Sequence, residues 1–207
     1  MSTSRITTDR DKNIILSPEN PTATVIFLHG LGDTGYGWSD AMANLSKELP
    51  YVKFVLPTAS SMPVTANMGM KMPAWYDIKS LSRINGKRIM PMALMNLVIV
   101  SWILFKERYM ETKMVLGGIL AMSGYLPRYD SFQLVSETAN VPLLMCHGEK
   151  DPVVRYEYGK MSKVKLETAG VKNVEFHSYP DMEHSACMEE LDDITKWLQR
   201  VLPETQH

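Results

Sequence analysis

Short apolar runs recur along this chain, and five of them predict β-strands. They lie at residues 24–28, 53–56, 118–122, 141–146 and 174–178. The first four consist largely of aliphatic, β-branched or aromatic residues and stop next to a turn-forming residue, which is typical of strands buried on both faces. The fifth alternates between apolar and polar residues and indicates a strand with one exposed face.

Three other stretches carry apolar residues at helical spacing, at residues 37–49, 156–168 and 191–201. Each is followed by proline or glycine, the residues that commonly stop a helix. Because strands alternate with helices, we expect an α/β fold with a mostly parallel sheet. The length of 207 residues fits a single domain over residues 1–207.

Composition narrows the function classes. The formal net charge is −1 and the pI is about 6.5, so the chain lacks the basic character of a nucleic-acid-binding protein. Its two cysteines, Cys146 and Cys187, have neither a framework spacing nor a nearby histidine cluster, and we expect no disulfide and no zinc site. Residues 1–20 are polar and carry both signs of charge, unlike a secretory signal, so we expect a cytoplasmic protein.

One uncharged stretch, residues 89–105, approaches the lower length limit of a membrane span. Pro91 and Asn96 interrupt it. The segments before and after it have the sequence features of a single site in a soluble protein. We therefore expect no transmembrane span. A membrane helix and an unusual core helix remain open as alternatives for this stretch.

A glycine-rich segment, residues 29–35 (HGLGDTG), follows the first predicted strand. Loops at the carboxyl ends of strands are where ligands bind in open α/β sheets. Three glycines within seven residues let the backbone approach a ligand and present N–H groups to it. The alternative is a tight turn between a strand and a helix, with no chemical role.

An acid and a histidine follow the last two predicted strands. Asp151 comes shortly after the strand at residues 141–146, and His184 comes after the strand at residues 174–178. An Asp followed by a His in separate loops at one sheet edge matches the chain order of the Ser-Asp-His triad in α/β-hydrolases. Taken singly, Asp151 also fits a turn before Pro152, and His184 fits the start of the final helix.

Several motifs in fixed order closely resemble the acyl-protein thioesterase and small carboxylesterase (lysophospholipase-like) family of α/β-hydrolases. They are residues 29–35 (HGLGDTG), 72–78 (MPAWYDI), 126–127 (LP), 147–154 (HGEKDPVV) and 184–187 (HSAC). The resemblance covers about residues 13–85 and 114–203. It implies removal of palmitoyl groups from protein cysteines and hydrolysis of lysophospholipids and small esters.

The resemblance also implies roles for individual residues. Asp151 and His184 would be triad members, and the backbone N–H of Leu31 would be half of an oxyanion hole. His29 would be structural. The residues implied to line or flank an acyl channel are Met72, Trp75, Tyr125 and Val153. An apolar channel suits a fatty acyl chain, since each buried CH₂ group contributes about 0.8 kcal/mol.

The implied partners are substrates, namely S-acylated proteins or lysophospholipids. Transient contact with a membrane surface follows from such substrates. The resemblance implies neither a cofactor nor a metal ion.

The chain departs from the family where the nucleophile belongs. Gly-Xaa-Ser-Xaa-Gly, the nucleophile elbow, is absent. Ser101 is flanked two residues away by Ile99 and Ile103, which are too large for the strained turn of an elbow. Ser123 matches a family position that is not the nucleophile. Residues 88–113 are therefore atypical, and we expect a disrupted strand, elbow and helix at the centre of the fold.

A shifted reading frame is one hypothesis for this segment. Reading from the second base of the Trp102 codon across Ile103 and Leu104 permits GGA TTC TCT, which encodes Gly-Phe-Ser. Removing one base in the Phe105 codon then permits CAA GGA, which encodes Gln-Gly. A splice form and a divergent protein are the alternatives. For the chain as written we expect no appreciable thioesterase activity, and the alternative function is non-catalytic acyl binding.

Overall fold

The computed structural model describes residues 5–79, 100–107, 114–127 and 129–204. The strands within these ranges are Arg5–Thr8 (β1), Ile14–Ser17 (β2), Ala23–Leu28 (β3), Val52–Leu56 (β4), Ser61–Val64 (β5), Met70–Pro73 (β6), Val100–Glu107 (β7), Met114–Met122 (β8), Leu143–Gly148 (β9) and Val174–Tyr179 (β10). The α-helices are Ser39–Glu48 (α1), Tyr156–Thr168 (α2) and Met188–Val201 (α3).

Eight strands form one sheet in the order β1-β2-β4-β3-β7-β8-β9-β10, and β5 pairs with β6 in a separate hairpin. β3 runs parallel to β4, and β8, β9 and β10 run parallel to one another. The α/β class is therefore confirmed. The sheet is mixed, because β1 and β2 form an antiparallel edge and β7 runs antiparallel to both of its neighbours.

The reversed strand β7 occupies the centre of the sheet. It pairs with β3 on one side and β8 on the other, with Leu28 and Ala121 both opposite Ser101. Residues 100–105 are thus a strand, and both helical interpretations are wrong for that part of the uncharged stretch. Residues 89–99 lie outside the described residues. In the described ranges, no helix is long and apolar enough to cross a membrane.

Both faces of the sheet are covered, as the apolar runs predict. Along β9, Leu144 and Cys146 pack on one face in a cluster that includes residues of α1 and α3. Leu143 and Met145 alternate with them and pack on the other face against residues such as Leu166 of α2. Successive side chains of a strand point to opposite faces, so one continuous apolar strand supplies both cores.

Helix α3 packs closely against β8 at Gly118. A Cβ atom at this glycine would lie 2.8 Å from the Trp197 ring, so the absence of a side chain makes room for the indole. Ile194, Trp197 and Leu198 recur at helical spacing and are buried. This contact packs the C-terminal half of α3 against the middle of β8.

Two features of the N-terminal half differ from the sequence expectation. Residues 57–77, which none of the predicted elements covers, contain the β5–β6 hairpin. The antiparallel strands β1 and β2 have no counterpart among the predicted strands. β1 is exposed along its whole length, so it lacks the apolar pattern by which the other strands are found.

A carboxyl group is buried at the start of α3. Glu190 is fully buried, and neither of its carboxylate oxygens has a hydrogen-bond partner within the described part of the chain. Burial raises the pKa of Glu190 from 4.5 to about 8. The nearby thiol of Cys146 also has a raised pKa, caused first by its own burial. Glu190 is therefore protonated in the folded protein at neutral pH.

This burial predicts a pH dependence of stability. The folded pKa lies above the unfolded value, so the stabilisation is complete below pH 4.5 and declines as the pH rises towards 8. We expect the free energy of unfolding to fall by about 3 kcal/mol between pH 5 and pH 8, at 1.36 kcal/mol per pH unit. Urea unfolding of Glu190→Gln should remove most of this slope. Glu189→Gln, on the exposed side of the same helical turn, is the control, and an equal slope in both variants would contradict the assignment.

Candidate active site

The loops after β9 and β10 bring an acid and an imidazole into contact. Asp151 Oδ2 lies 2.8 Å from Nδ1 of His184. The Asp151 carboxylate is fully buried, and its Oδ1 accepts the backbone N–H groups of Val153 and Val154, each at 2.8 Å. Three hydrogen bonds thus fix the carboxylate. Since it accepts the Nδ1 proton of His184, Nε2 is left as the basic nitrogen of the ring.

The close approach of these loops depends on Gly148, the last residue of β9. A Cβ atom there would lie 2.1 Å from the carbonyl oxygen of Met182. Two backbone hydrogen bonds connect the loops at the same point, from Glu149 N–H to the Tyr179 carbonyl (3.0 Å) and from Lys150 N–H to the Met182 carbonyl (3.1 Å). The backbone itself therefore sets the separation of Asp151 and His184.

A second histidine, His147, lies next to the carboxylate of Asp151. The ring of His147 is buried, with Nε2 2.8 Å from the Val154 carbonyl and 3.5 Å from Asp151 Oδ2. Burial lowers the pKa of His147, so the ring is neutral at pH 7 and donates its Nε2 proton to that carbonyl. Gly159 of α2 makes room for the ring, because a Cβ atom would meet Nδ1 at 2.5 Å. No sequence pattern indicated this supporting role of His147.

Asp33 and Gly32 shape the glycine-rich loop after β3. The two carboxylate oxygens of Asp33 accept the Thr34 N–H (2.7 Å) and the indole N–H of Trp38 (2.9 Å). Gly32 adopts a φ of +80°, which favours glycine, and its N–H donates to the Pro73 carbonyl at 2.9 Å. Leu31 directly precedes these anchored residues, and its backbone N–H has no protein partner within the described ranges.

Both ring nitrogens of His29 make hydrogen bonds to the backbone around the glycine-rich loop. Its Nδ1 lies 2.7 Å from the Gly30 carbonyl, and its Nε2 accepts the backbone N–H of Ala59 at 3.0 Å. The His29 carbonyl in turn accepts the indole N–H of Trp75 at 2.9 Å. With both ring nitrogens engaged, His29 has no free nitrogen for proton transfer, in agreement with the structural role expected for it.

A cavity of about 320 Å³ lies between the glycine-rich loop and His184. Its apolar walls are formed by Leu31, Trp38, Ile78, Met122, Val153 and Ala186. Its polar lining includes Asp33, Ser123, His184 and Ser185. A small apolar space with a few convergent polar groups is typical of a ligand site.

Of the four residues implied to line or flank an acyl channel, Val153 lines this cavity. Met72 packs instead against the cluster of Val64, Ala74 and Ile78, and Tyr125 is buried. Trp75 is partly exposed and is tied to the loop by its hydrogen bond to His29.

Two apolar residues of the cavity lie outside the motifs that carry the family resemblance. Trp38 and Met122 are ordinary apolar residues in sequence, and only the fold brings them to the cavity. Helical spacing places Trp38 on an apolar helix face, but it does not show that this face meets the glycine-rich loop. No local signal could have identified these residues.

No serine in the described part of the chain is hydrogen-bonded to Nε2 of His184. Ser101 lies near the start of β7, paired with strands on both sides, and not at the turn from a strand to a helix that an elbow requires. Ser123 follows β8 directly, with a φ of +50°. Among the side chains that the structure describes, the base and its acid are thus assembled without a serine bonded to the base.

Comparison with known proteins places these features in a family context. The model of the phospholipase/carboxylesterase family matches residues 10–95 and 104–202. The chain is 39% identical to acyl-protein thioesterase 1 of Neurospora crassa, over 88% of this chain and 88% of that protein. It is 36% identical to acyl-protein thioesterase 1 of Mycosarcoma maydis, over 93% of this chain and 98% of that protein. The crystal structure of Zea mays acyl-protein thioesterase 2 matches with a TM-score of 0.74 and 26% identity, over 93% of this chain and 99% of that chain.

The family match is interrupted at residues 96–103, where β7 begins. This interruption lies within the atypical segment at residues 88–113. The alignment with the M. maydis protein extends over 234 residues and is longer than this chain of 207, so part of that relative has no counterpart here.

The geometry at Gly148 predicts a large effect of a single methyl group. We expect Gly148→Ala to lower the free energy of unfolding by about 3 kcal/mol, because the added Cβ overlaps a backbone carbonyl that cannot move without separating the two loops. Urea denaturation measures the change. Gly69→Ala is the control, since its φ is +75° but no atom lies within 4 Å of the added Cβ, and we expect about 1 kcal/mol there. Equal losses in the two variants would contradict the steric argument.

Proposed function

Since this chain belongs to the phospholipase/carboxylesterase family of hydrolases, we propose that its cavity is an acyl site for the hydrolysis of carboxylic esters and thioesters. The observation that carries the proposal is the 2.8 Å hydrogen bond between buried Asp151 and His184 at the edge of an apolar cavity. Relatives of high coverage are named acyl-protein thioesterases, which supports S-acylated proteins as the substrate class. Lysophospholipids present the same acyl chemistry and are the second candidate substrate.

Three groups divide the acid–base and electrostatic work. Nε2 of His184 accepts the proton of the hydroxyl oxygen that attacks the acyl carbonyl. It later gives this proton to the leaving thiolate or alkoxide. Asp151 holds the ring in the required tautomer and stabilises the imidazolium that forms. The N–H of Leu31, which has no protein partner in the described ranges, donates to the oxyanion as the carbonyl becomes tetrahedral.

The apolar walls of the cavity provide the binding energy for the acyl chain. Leu31, Met122 and Val153 surround the space next to His184. Each CH₂ group moved from water into such surroundings contributes about 0.8 kcal/mol. The cavity volume of about 320 Å³ is at the lower end of the range for small-molecule sites, so it accommodates the reacting end of an acyl chain.

Turnover by this chain is expected to be strongly reduced. The residues of a triad act as a unit, and loss of the serine costs on the order of 10⁶ in turnover, leaving about 10³ to 10⁴ over water. The elbow also supplies the second oxyanion donor from the residue after the serine. Because no serine of the described residues bonds to Nε2 of His184, non-catalytic acyl binding is the second candidate function.

Two measurements on the same preparation separate these functions. We expect hydrolysis of 4-nitrophenyl butyrate to be about 10⁶-fold slower than by the N. crassa relative measured beside it, since the nucleophile is missing. A fluorescent fatty acid should still bind, because the apolar walls remain. A turnover in the ordinary enzymatic range of about 1 to 10³ per second would contradict the impairment.

The interrupted family match and the reversed β7 support a shifted reading frame in the segment at residues 88–113. We expect resequencing of the transcript to show added or missing bases there, restoring a frame that encodes Gly-Phe-Ser-Gln-Gly. The chain translated from that frame should hydrolyse 4-nitrophenyl butyrate several orders of magnitude faster and react with a fluorophosphonate. A clean in-frame read of the present sequence would overturn this explanation.

A further inference from the structure

Ser123 has an unusual backbone conformation at the edge of the cavity. It follows the last residue of β8 and has a φ of +50°, in the left-handed region that residues other than glycine rarely adopt. Its backbone N–H donates to the Cys146 carbonyl at 2.8 Å, which continues the pairing of β8 with β9 by one residue. The sheet therefore holds Ser123 in a conformation that is unfavourable on its own.

The hydroxyl of Ser123 is unpaired as well as buried. The residue is 5% exposed, and within the described part of the chain its Oγ has no hydrogen-bond partner. Most buried hydroxyl groups in folded proteins have a partner, because a buried unpaired hydroxyl is destabilising. Backbone strain and an unpaired polar atom in one residue are features that concentrate at functional sites.

A ligand in the cavity would become the partner of this hydroxyl after a rotation about the Cα–Cβ bond of Ser123, since Oγ itself has almost no exposed surface. Ser123 is one of the lining residues of the cavity, together with His184 and Leu31, while the adjacent Met122 contributes an apolar wall. An acyl group that enters such a cavity brings a hydrocarbon chain and one polar end, the carbonyl of the ester or the carboxylate of the product. Both polar ends accept hydrogen bonds, and a serine hydroxyl is a donor.

The structure favours a donor role for Ser123 over a nucleophilic one. Its Oγ makes no hydrogen bond to Nε2 of His184, so the base is not positioned to take its proton. Residues 124–126 form no helix after it, whereas an elbow serine stands at the turn from a strand into a helix.

We infer that the Ser123 hydroxyl binds the carbonyl or carboxylate oxygen of the acyl group, as a second donor beside the Leu31 N–H. Among the described residues, the Leu31 N–H is the one backbone donor assigned to the oxyanion, and Ser123 would supply a second donor from the end of β8, two strands away from β3 in the sheet. This inference rests on the proposed acyl site. Ser123 would bind the polar end of the ligand, whereas the apolar walls of the cavity bind only its hydrocarbon chain.

The test compares two ligands of equal chain length, octanoate and 1-chlorooctane, in displacing a fluorescent fatty acid from the full chain. Octanoate carries the charged acceptor, and 1-chlorooctane carries no comparable one. The variants are Ser123→Ala and Ser123→Gly, which both remove the hydroxyl while glycine also tolerates the positive φ. Ser136→Ala, at an exposed serine in a different loop, is the matched control.

We expect both Ser123 variants to bind octanoate about 10- to 100-fold more weakly, as for the loss of a hydrogen bond to a charged group. Binding of 1-chlorooctane should stay within about two-fold, and Ser136→Ala should bind both ligands unchanged. Octanoate affinity that is unchanged in Ser123→Gly would overturn the inference and leave the acyl site standing. Failure of the unmodified chain to bind either ligand would overturn the acyl site, and the inference with it. Covalent labelling of Ser123 by a fluorophosphonate would also overturn the inference, since the hydroxyl would then be a nucleophile.

Discussion

The approach of the β9 end to the loop after β10 is the constraint on which the site depends. Gly148 leaves no room for a side chain against the Met182 carbonyl, and backbone hydrogen bonds join the two loops beside it. At this separation, Asp151 reaches His184 in a single 2.8 Å hydrogen bond. The acid–base pair is therefore a consequence of main-chain packing between these two loops.

The position of β7 in the central segment is explained by the backbone pairing of its neighbours, whereas its direction affects the chemistry. β7 fills the position between β3 and β8, and it does so in the reverse direction. Any extended apolar segment can satisfy the N–H and C=O groups of both neighbours, because either direction makes a complete ladder. Direction matters to the chemistry, however. A parallel strand would deliver its carboxyl end, and the turn after it, to the edge where Asp151 and His184 lie, whereas β7 begins at that edge, as the pairing of Val100 with Met122 shows.

How far the sequence predicts the structure depends on how local the determining interactions are. The bounds of α2 follow from spacing and from Gly170, whose φ of +106° ends the helix where the pattern stops. The pair of Asp151 and His184 follows from motifs at strand ends. By contrast, nothing local sets the direction of β7, which is decided by its neighbours. The cavity position of Trp38 depends on its indole bond to Asp33, and the φ of Ser123 depends on the β8–β9 ladder.

The parts of the site that remain intact are those that the fold also uses. The Asp151 carboxylate satisfies two backbone N–H groups of its own loop, and the glycine-rich loop is held by Asp33 and by the Pro73 carbonyl. Loss of either would leave buried polar groups unpaired, which destabilises a protein of ordinary stability substantially. A nucleophilic serine differs from these residues, because its hydroxyl takes part in the reaction and does not pair with the backbone N–H groups of its loop. The contacts that hold the acid–base pair and the glycine-rich loop are thus ones that the fold itself requires, independently of the nucleophile that the family pattern places in the atypical segment.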